Sequence, residues 1–219
     1  MRNLKLIASC TAMGVASVAL AGGTHTESGD AGHTLGDAQA TGSGILSFID
    51  GGTGGGDFID IYLINIIDPI AFYASTAGDQ GAPGSGSADF DTKIWLFDAD
   101  GFGVLSNDDF GGSPFHSHLT GTATDGTGAA AKAGLHYLAI GGFGDEALGG
   151  GLPIFDTGSF DEVSGPDGPG AANPLSGWEF DGAQGNYHIN LNGVEAVPAP
   201  GAIALLGLAG LAGRRRRRK

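Results

Sequence analysis

The sequence predicts an all-β protein, a single jelly-roll-like β-sandwich, and three observations predict it. Short segments rich in Ile, Val, Phe and Tyr alternate apolar with polar residues, which is the period-two signature of half-buried strands. Glycine and proline, 52 of 219 residues together, cluster at 51–56, 82–88, 121–134, 149–151 and 164–172, where they serve as loops between strands. No apolar stripe at the 3.6-residue spacing of a helix runs through the body of the chain.

The predicted strands, in order, are 45–49, 58–66, 70–75, 92–98, 103–106, 135–140 and 187–191. In 58–66 the alternation places Ile59, Ile61 and Leu63 on one face; in 135–140, His136, Leu138 and Ile140 oppose Leu135, Tyr137 and Ala139. Trp95, in the middle of 92–98, reads as core, and His136 and His188 read as strand residues with ordinary partners. Strands in this number suffice for two sheets packed face to face. Residues 22–43, rich in Gly, Thr, His and acids, read as a flexible lead-in or an edge strand ahead of a domain over 44–194.

The two ends read as sorting signals rather than as fold. Arg2 and Lys5 precede an apolar stretch from Leu6 to Leu20, and Ala19-Leu20-Ala21 has small residues where a signal peptidase cuts. Residues 1–21 are therefore an expected secretory signal, cleaved beside Ala19 and Ala21. Cys10, the one cysteine, would leave with it, so the exported body is expected to have neither disulfides nor thiol chemistry. At the other end, 195–219 contains Pro198-Ala199-Pro200, an apolar run at 201–213, then Arg214, Arg215, Arg216, Arg217, Arg218 and Lys219. Pro-x-Pro stops any preceding element, the run falls short of the ~20 apolar residues a stable span needs, and the basic cluster stays cytoplasmic. This order of parts resembles the PEP-CTERM sorting signals cut by exosortases, with Ala199 where that family has Glu. The resemblance implies an exosortase-type protease as partner, transient insertion in the inner membrane through a C-terminal sorting helix, and release to the cell surface or extracellular matrix.

Between the two ends only Lys93 and Lys132 oppose 24 acidic residues, 19 of them Asp, a formal charge of −22 with His neutral. That balance excludes nucleic acid as a partner. Self-repulsion of this size calls for screening salt or bound cations; a solubilising acidic surface and a divalent-cation protein both fit it.

Several segments also occur in a telling order. Asp60-Ile61-Tyr62 precedes Asp68-Pro69, Phe90-Asp91-Thr92 leads into Leu96-Phe97-Asp98-Ala99-Asp100-Gly101, and Asn107-Asp108-Asp109 closes that hairpin. Gly134-Leu135-His136-Tyr137-Leu138-Ala139-Ile140 follows, and the last block runs from Pro174-Leu175-Ser176-Gly177-Trp178 to Tyr187-His188-Ile189-Asn190-Leu191. Together these resemble the bacterial pre-peptidase C-terminal (PPC) type of β-sandwich, over residues 44–194. The resemblance implies an accessory or binding domain, and no peptidase accompanies it within the 219 residues.

One stretch singles itself out chemically. Asp98, Asp100, Gly103 and Asp109 take positions one, three, six and twelve of a calcium-loop count, and Asp108 adjoins the last. Asp98, Asp100, Asp108 and Asp109 are thus candidate calcium ligands. Phe102 at position five, and Asp rather than Glu at twelve, depart from the helix-loop-helix pattern, so such a loop would join two strands. A plain hairpin whose Asp and Gly residues serve the turn is the other reading. Asp57, Asp60, Asp89 and Asp91 would supplement the site if folding brought them close. His116 and His118 share one face of an extended segment, without a third ligand nearby. Trp178, in a stretch rich in Gly and Pro, is a candidate for stacking on sugar rings, with core capping as the alternative.

No G-x-S-x-G, H-E-x-x-H, C-x-x-C, P-loop or G-x-G-x-x-G motif occurs, which argues against an enzyme. The residues point to a non-enzymatic exported protein, a structural or adhesive module for exopolysaccharide or another anionic surface polymer, with calcium as its candidate cofactor. The rivals are a secreted hydrolase acting on matrix polysaccharide through paired carboxylates and a substrate-capture module serving a separate peptidase.

Overall fold

A computed structural model describes residues 22–77, 88–111 and 115–199. The predicted signal, with Cys10, Ala19 and Ala21, and the tail from Pro200 through Arg214, Arg215, Arg216, Arg217 and Arg218 lie outside the described residues.

Among the described residues the protein is all-β. Its strands are β1 (Gly23–Thr26), β2 (Gln39–Ala40), β3 (Gly44–Gly52), β4 (Asp60–Ile66), β5 (Tyr73–Ser75), β6 (Thr92–Asp98) and β7 (Gly103–Asn107), followed by β8 (His118–Thr120), β9 (Gly134–Gly142), β10 (Glu146–Gly149), β11 (Leu152–Pro153), β12 (Leu175–Glu179), β13 (Asn186–Asn192) and β14 (Val194–Ala196). The long sheet runs β7-β6-β9-β4-β14-β3-β13-β5-β8, with β1 added parallel to β3 and β2 parallel to β4; a small sheet runs β11-β10-β12.

β3 is the strand on which the long sheet turns. Its first residues pair with β14, whereas Phe48 to Gly52 pair with β13. The sheet folds over itself as a result, so that Ile64, Ile94, Leu96, Leu138 and Ile140 from one half and Ile49, Ala74, Leu119, Ile189 and Leu191 from the other fill one core. The free ends β7 and β8 then meet. The His118 amide donates to Asn107 Oδ1 at 2.6 Å, and the Phe110 amide donates to the His116 carbonyl at 2.8 Å. Beneath this seam lie Thr76, Thr92 and Ser117, fully buried, with Thr92 Oγ1 2.7 Å from Thr76 Oγ1 and 3.0 Å from Ser117 Oγ.

A second core covers the opposite face of the same central strands. Ile59, Ile61, Trp95, Phe97 and Ala139 pack there against Ala147, Ile154, Phe155 and Trp178. β6 is thus buried on both faces, which is why Ile94 to Phe97 is an unbroken apolar run rather than an alternating one. Each such large side chain contributes roughly 1.5–3 kcal/mol by leaving water.

The structure differs from the sequence reading at identifiable places. The strand expected at 70–75 shortens to β5, because Asp68 Oδ1 accepts the amides of Ile70 and Ala71, each at 3.1 Å, and turns the chain; Ile70 is left 98 % exposed. Leu63 shares a face with Ile61 but is only half-buried. Residues 22–43 hold two edge strands, β1 and β2. β14 pairs with both β3 and β4, and the Val197 amide donates to Thr41 Oγ1 at 2.9 Å. The boundary drawn at 194 therefore falls inside the sheet, and the first residues assigned to the tail belong to the fold.

Candidate functional site

Asp98 closes β6 and Asp100 lies in the turn that leads to β7. Asp98 Oδ1 accepts the amide hydrogens of Asp100 at 3.0 Å and Phe102 at 2.9 Å, an Asx arrangement that organises the turn. Gly101 has φ 85°, a backbone value glycine supplies without strain. Asp108 and Asp109 lie beyond the other end of β7, a five-residue strand that spans about 17 Å at the usual rise. The hairpin therefore separates the four residues expected to share an ion: loop counting assumes a chain that coils around its ligand, and this one runs straight.

What the fold brings to Asp108 and Asp109 is Asp91, with ligand oxygens of all three within 4.8 Å of one another. Asp91 precedes β6 and the other two follow β7, and the antiparallel register of the pair, Ile94 opposite Asn107, sets these ends side by side. Asp108 is 2 % exposed. One oxygen of Asp91 and one of Asp108 are buried without a hydrogen bond. Burial pushes Asp108 up to about 7, with Lys93 opposing the rise and Asp109 and Asp91 adding to it. Lys93, itself buried, donates to Glu146 Oε1 at 2.7 Å. Asp89 takes no part; it accepts hydrogen bonds from the Asn186 amide and side chain at 2.7 and 3.0 Å.

A second trio consists of Asp30, Asp57 and Asp60, again with ligand oxygens within 4.8 Å of one another. Asp60 opens β4 and is fully buried. Tyr187 of β13 donates to Asp60 Oδ2 at 2.6 Å, and the Tyr62 hydroxyl lies 2.6 Å from that of Tyr187. Asp60 Oδ1 and Asp57 Oδ1 are buried with no hydrogen-bond partner. Burial is the main reason Asp60 is pushed up to about 7 and Asp57 to about 6, with Glu27 among the neighbours that reinforce both shifts. Asp30 comes from the segment between β1 and β2, which the parallel pairing of β1 with β3 lays against this end of the sheet. No local sequence signal marks Asp30; its placement is wholly non-local.

The other candidates have simpler roles. His118 is buried in β8, its ring 4.8 Å from Phe110 and 5.7 Å from Tyr73, and burial lowers its pKa. His116 Nε2 lies 3.3 Å from the Ala88 carbonyl, and neither histidine joins an acid trio. His136 approaches the Gly134 carbonyl at 2.9 Å, and His188 pairs with Asp50. Trp178 is not an open platform. It lies in β12, 8 % exposed, edge-on to Trp95 at 5.1 Å and Phe97 at 6.1 Å, with Nε1 donating to the His33 carbonyl at 2.8 Å. It caps the second core, because β12 pairs with β10 and so turns the indole inward.

Comparison with known proteins gives no match to any family model, curated protein or solved structure. The two carboxylate trios offer hard oxygen ligands of the kind Ca²⁺ takes.

Proposed function

We propose that this protein is an exported, non-enzymatic binding module of the cell surface or extracellular matrix, a PPC-like β-sandwich that holds calcium and engages anionic exopolysaccharide. The observation that carries the proposal is the convergence of Asp30, Asp57 and Asp60, with Asp60 fully buried and an oxygen of both Asp57 and Asp60 left without a partner. Ionised carboxylates packed this way repel one another, and the unpartnered Oδ1 atoms of Asp57 and Asp60 are left short of the contacts buried charge requires. A divalent cation ligated by all three supplies both the counter-charge and the missing contacts. It would also fasten the 27–38 segment to β4.

The folded-over sheet and its shared core support the sandwich reading. Export and exosortase-type sorting are supported by the order of charge, apolar run and cleavage residues at the two ends. A formal charge of −22 on the exported body leaves calcium bridges as the natural link to another polyanion. The hydrolase alternative is less well supported, since the two most strongly shifted acids, Asp60 and Asp108, are both buried and do not face an open cleft for a polymer.

Calorimetric titration of the purified protein with calcium tests this, beside Asp57→Asn and Asp60→Asn and with retention on an alginate resin as the polymer readout. Saturable binding that both variants weaken at least tenfold, with calcium-dependent retention, is expected. No heat and no retention would overturn the proposal.

A further inference from the structure

We propose that Asp91, Asp108 and Asp109 bind a second divalent cation, of the calcium class, which clasps the seam where the two ends of the long sheet meet. This inference stands apart from the Asp30–Asp57–Asp60 reading, since it uses other segments and does not require the first site to be filled.

The positions of the carboxylates are set by the sheet rather than by a free loop. The Asp91 carbonyl accepts the Phe143 amide at 2.9 Å, and the Asp109 amide donates to the Phe160 carbonyl at 2.9 Å. Asn107, just ahead of the pair, donates through Nδ2 to the carbonyls of Asp109 at 2.8 Å and Glu162 at 2.9 Å. Backbone on both sides of the trio is therefore pinned. Within it, Asp108 is 2 % exposed, and Oδ1 of Asp108 and Oδ1 of Asp91 are buried with no hydrogen-bond partner. A buried, unpartnered carboxylate oxygen costs free energy unless something ligates it.

Charge and size point to the ligand. Asp91, Asp108 and Asp109 are joined by Asp161 beside Asp109 and by Glu146. Against them stand Lys93, whose Nζ is bonded to Glu146 Oε1 at 2.7 Å, and His116 near Asp91. The cluster thus keeps a negative excess after its neighbouring cation is counted. Calcium–oxygen distances of about 2.3–2.6 Å put opposite ligands roughly 5 Å apart, and the three ligand oxygens lie within 4.8 Å of one another. Asp91 and Asp109 are only half-buried, leaving room for solvent to complete the coordination sphere.

The consequence is mechanical. Asp91 leads into β6 and Asp108–Asp109 lead out of β7, so an ion there fixes the open end of the hairpin. That same end carries the bonds of Asn107 to His118 and of Phe110 to His116 that join β7 to β8. Filling the site should tighten the seam.

The test titrates full-length protein with calcium, and separately with magnesium, in wild type, Asp60→Asn, Asp91→Asn, Asp108→Asn and the Asp60→Asn/Asp108→Asn double variant. Hydrogen exchange is followed at the amides of Phe110, Ser117 and His118. The expected result is one calcium still bound by Asp60→Asn, with seam exchange slowed at least tenfold. Asp91→Asn and Asp108→Asn, both near-isosteric, should weaken this binding at least tenfold and abolish the slowing. If Asp60→Asn binds no calcium while wild type binds one, the clasp is overturned and the first site stands. If Asp108→Asn leaves stoichiometry and exchange unchanged, the clasp is likewise overturned.

Discussion

The Tyr187 hydroxyl donates to Asp60 Oδ2 at 2.6 Å from a different strand, the two residues lying 127 positions apart in sequence. When Asp60 is ionised, the single proton of Tyr187 goes to its carboxylate, so the 2.6 Å contact between the Tyr62 and Tyr187 oxygens is donated by Tyr62. In that state the chain runs from Tyr62 to Tyr187 to Asp60. Tyr187→Phe removes the middle of this relay and leaves both a buried carboxylate oxygen and a buried phenol unsatisfied. A loss of about 2–3 kcal/mol in urea unfolding is expected. Tyr62→Phe should cost less, because it removes a terminal donor. A double-mutant cycle between the two should show coupling; additive losses would mean that the relay is not a unit.

Asp60 also predicts a pH dependence. Its value of about 7 in the folded protein exceeds the ordinary 3.8, so between those limits the folded state holds a proton that the unfolded state releases. Stability from this group is therefore complete below about pH 4 and is lost as pH rises through about 7. At about 1.4 kcal/mol per unit of pKa, the loss reaches on the order of 4 kcal/mol in protein stripped of divalent ions. Asp60→Asn, which can still accept from Tyr187, should raise the melting temperature in EDTA at pH 7.5 and leave it little changed at pH 4. Comparing the two proteins isolates Asp60 from His118 and His136, whose lowered values act in the opposite sense. Equal pH profiles for the two would show that Asp60 ionises freely when folded.

Much of the central sheet was legible because its strands declare themselves locally. The segment that became β6 has four consecutive apolar residues, Ile94 to Phe97, and Trp95 is fully buried as its position suggested. The strands that escaped notice carry no such signal. β12 reads Leu-Ser-Gly-Trp-Glu and β8 is three residues long; both exist because a neighbour supplies the pairing. The site divided in the same way. Asp108 and Asp109 stood out by their position in a motif, but Asp91 joins them only through the β6–β7 register, and Asp30 joins Asp60 only through the parallel pairing of β1 with β3.

Trp178 should behave as core. Truncation to Ala removes the edge-on contacts to Trp95 and Phe97 and empties much of the second core, a loss of about 3–5 kcal/mol. Trp178→Phe keeps an aromatic ring but forfeits the bond to the His33 carbonyl, at roughly 1 kcal/mol. Thermal melts rank the two variants. Polysaccharide retention by Trp178→Phe should match wild type at temperatures where both are folded; a selective loss of retention would restore the sugar-stacking role.

Asp98 is read from the sequence both as a turn residue and as a calcium ligand, and its hydrogen bonds favour the turn. Its Oδ1 is already occupied by the amides of Asp100 and Phe102, whereas an oxygen of Asp108 faces no partner at all. Asp98→Ala should therefore destabilise the protein by about 1 kcal/mol, the usual worth of a side chain that caps backbone donors, through loss of the turn alone. Asp100→Ala, at an exposed position, should change stability by less than about 0.5 kcal/mol. Neither substitution should alter calcium stoichiometry or affinity, while Asp108→Asn weakens binding. The order follows from which carboxylates keep a buried oxygen without a hydrogen bond. Calcium titration of the three variants under identical conditions measures it, and weaker binding in Asp98→Ala than in Asp108→Asn would return the ion to the turn.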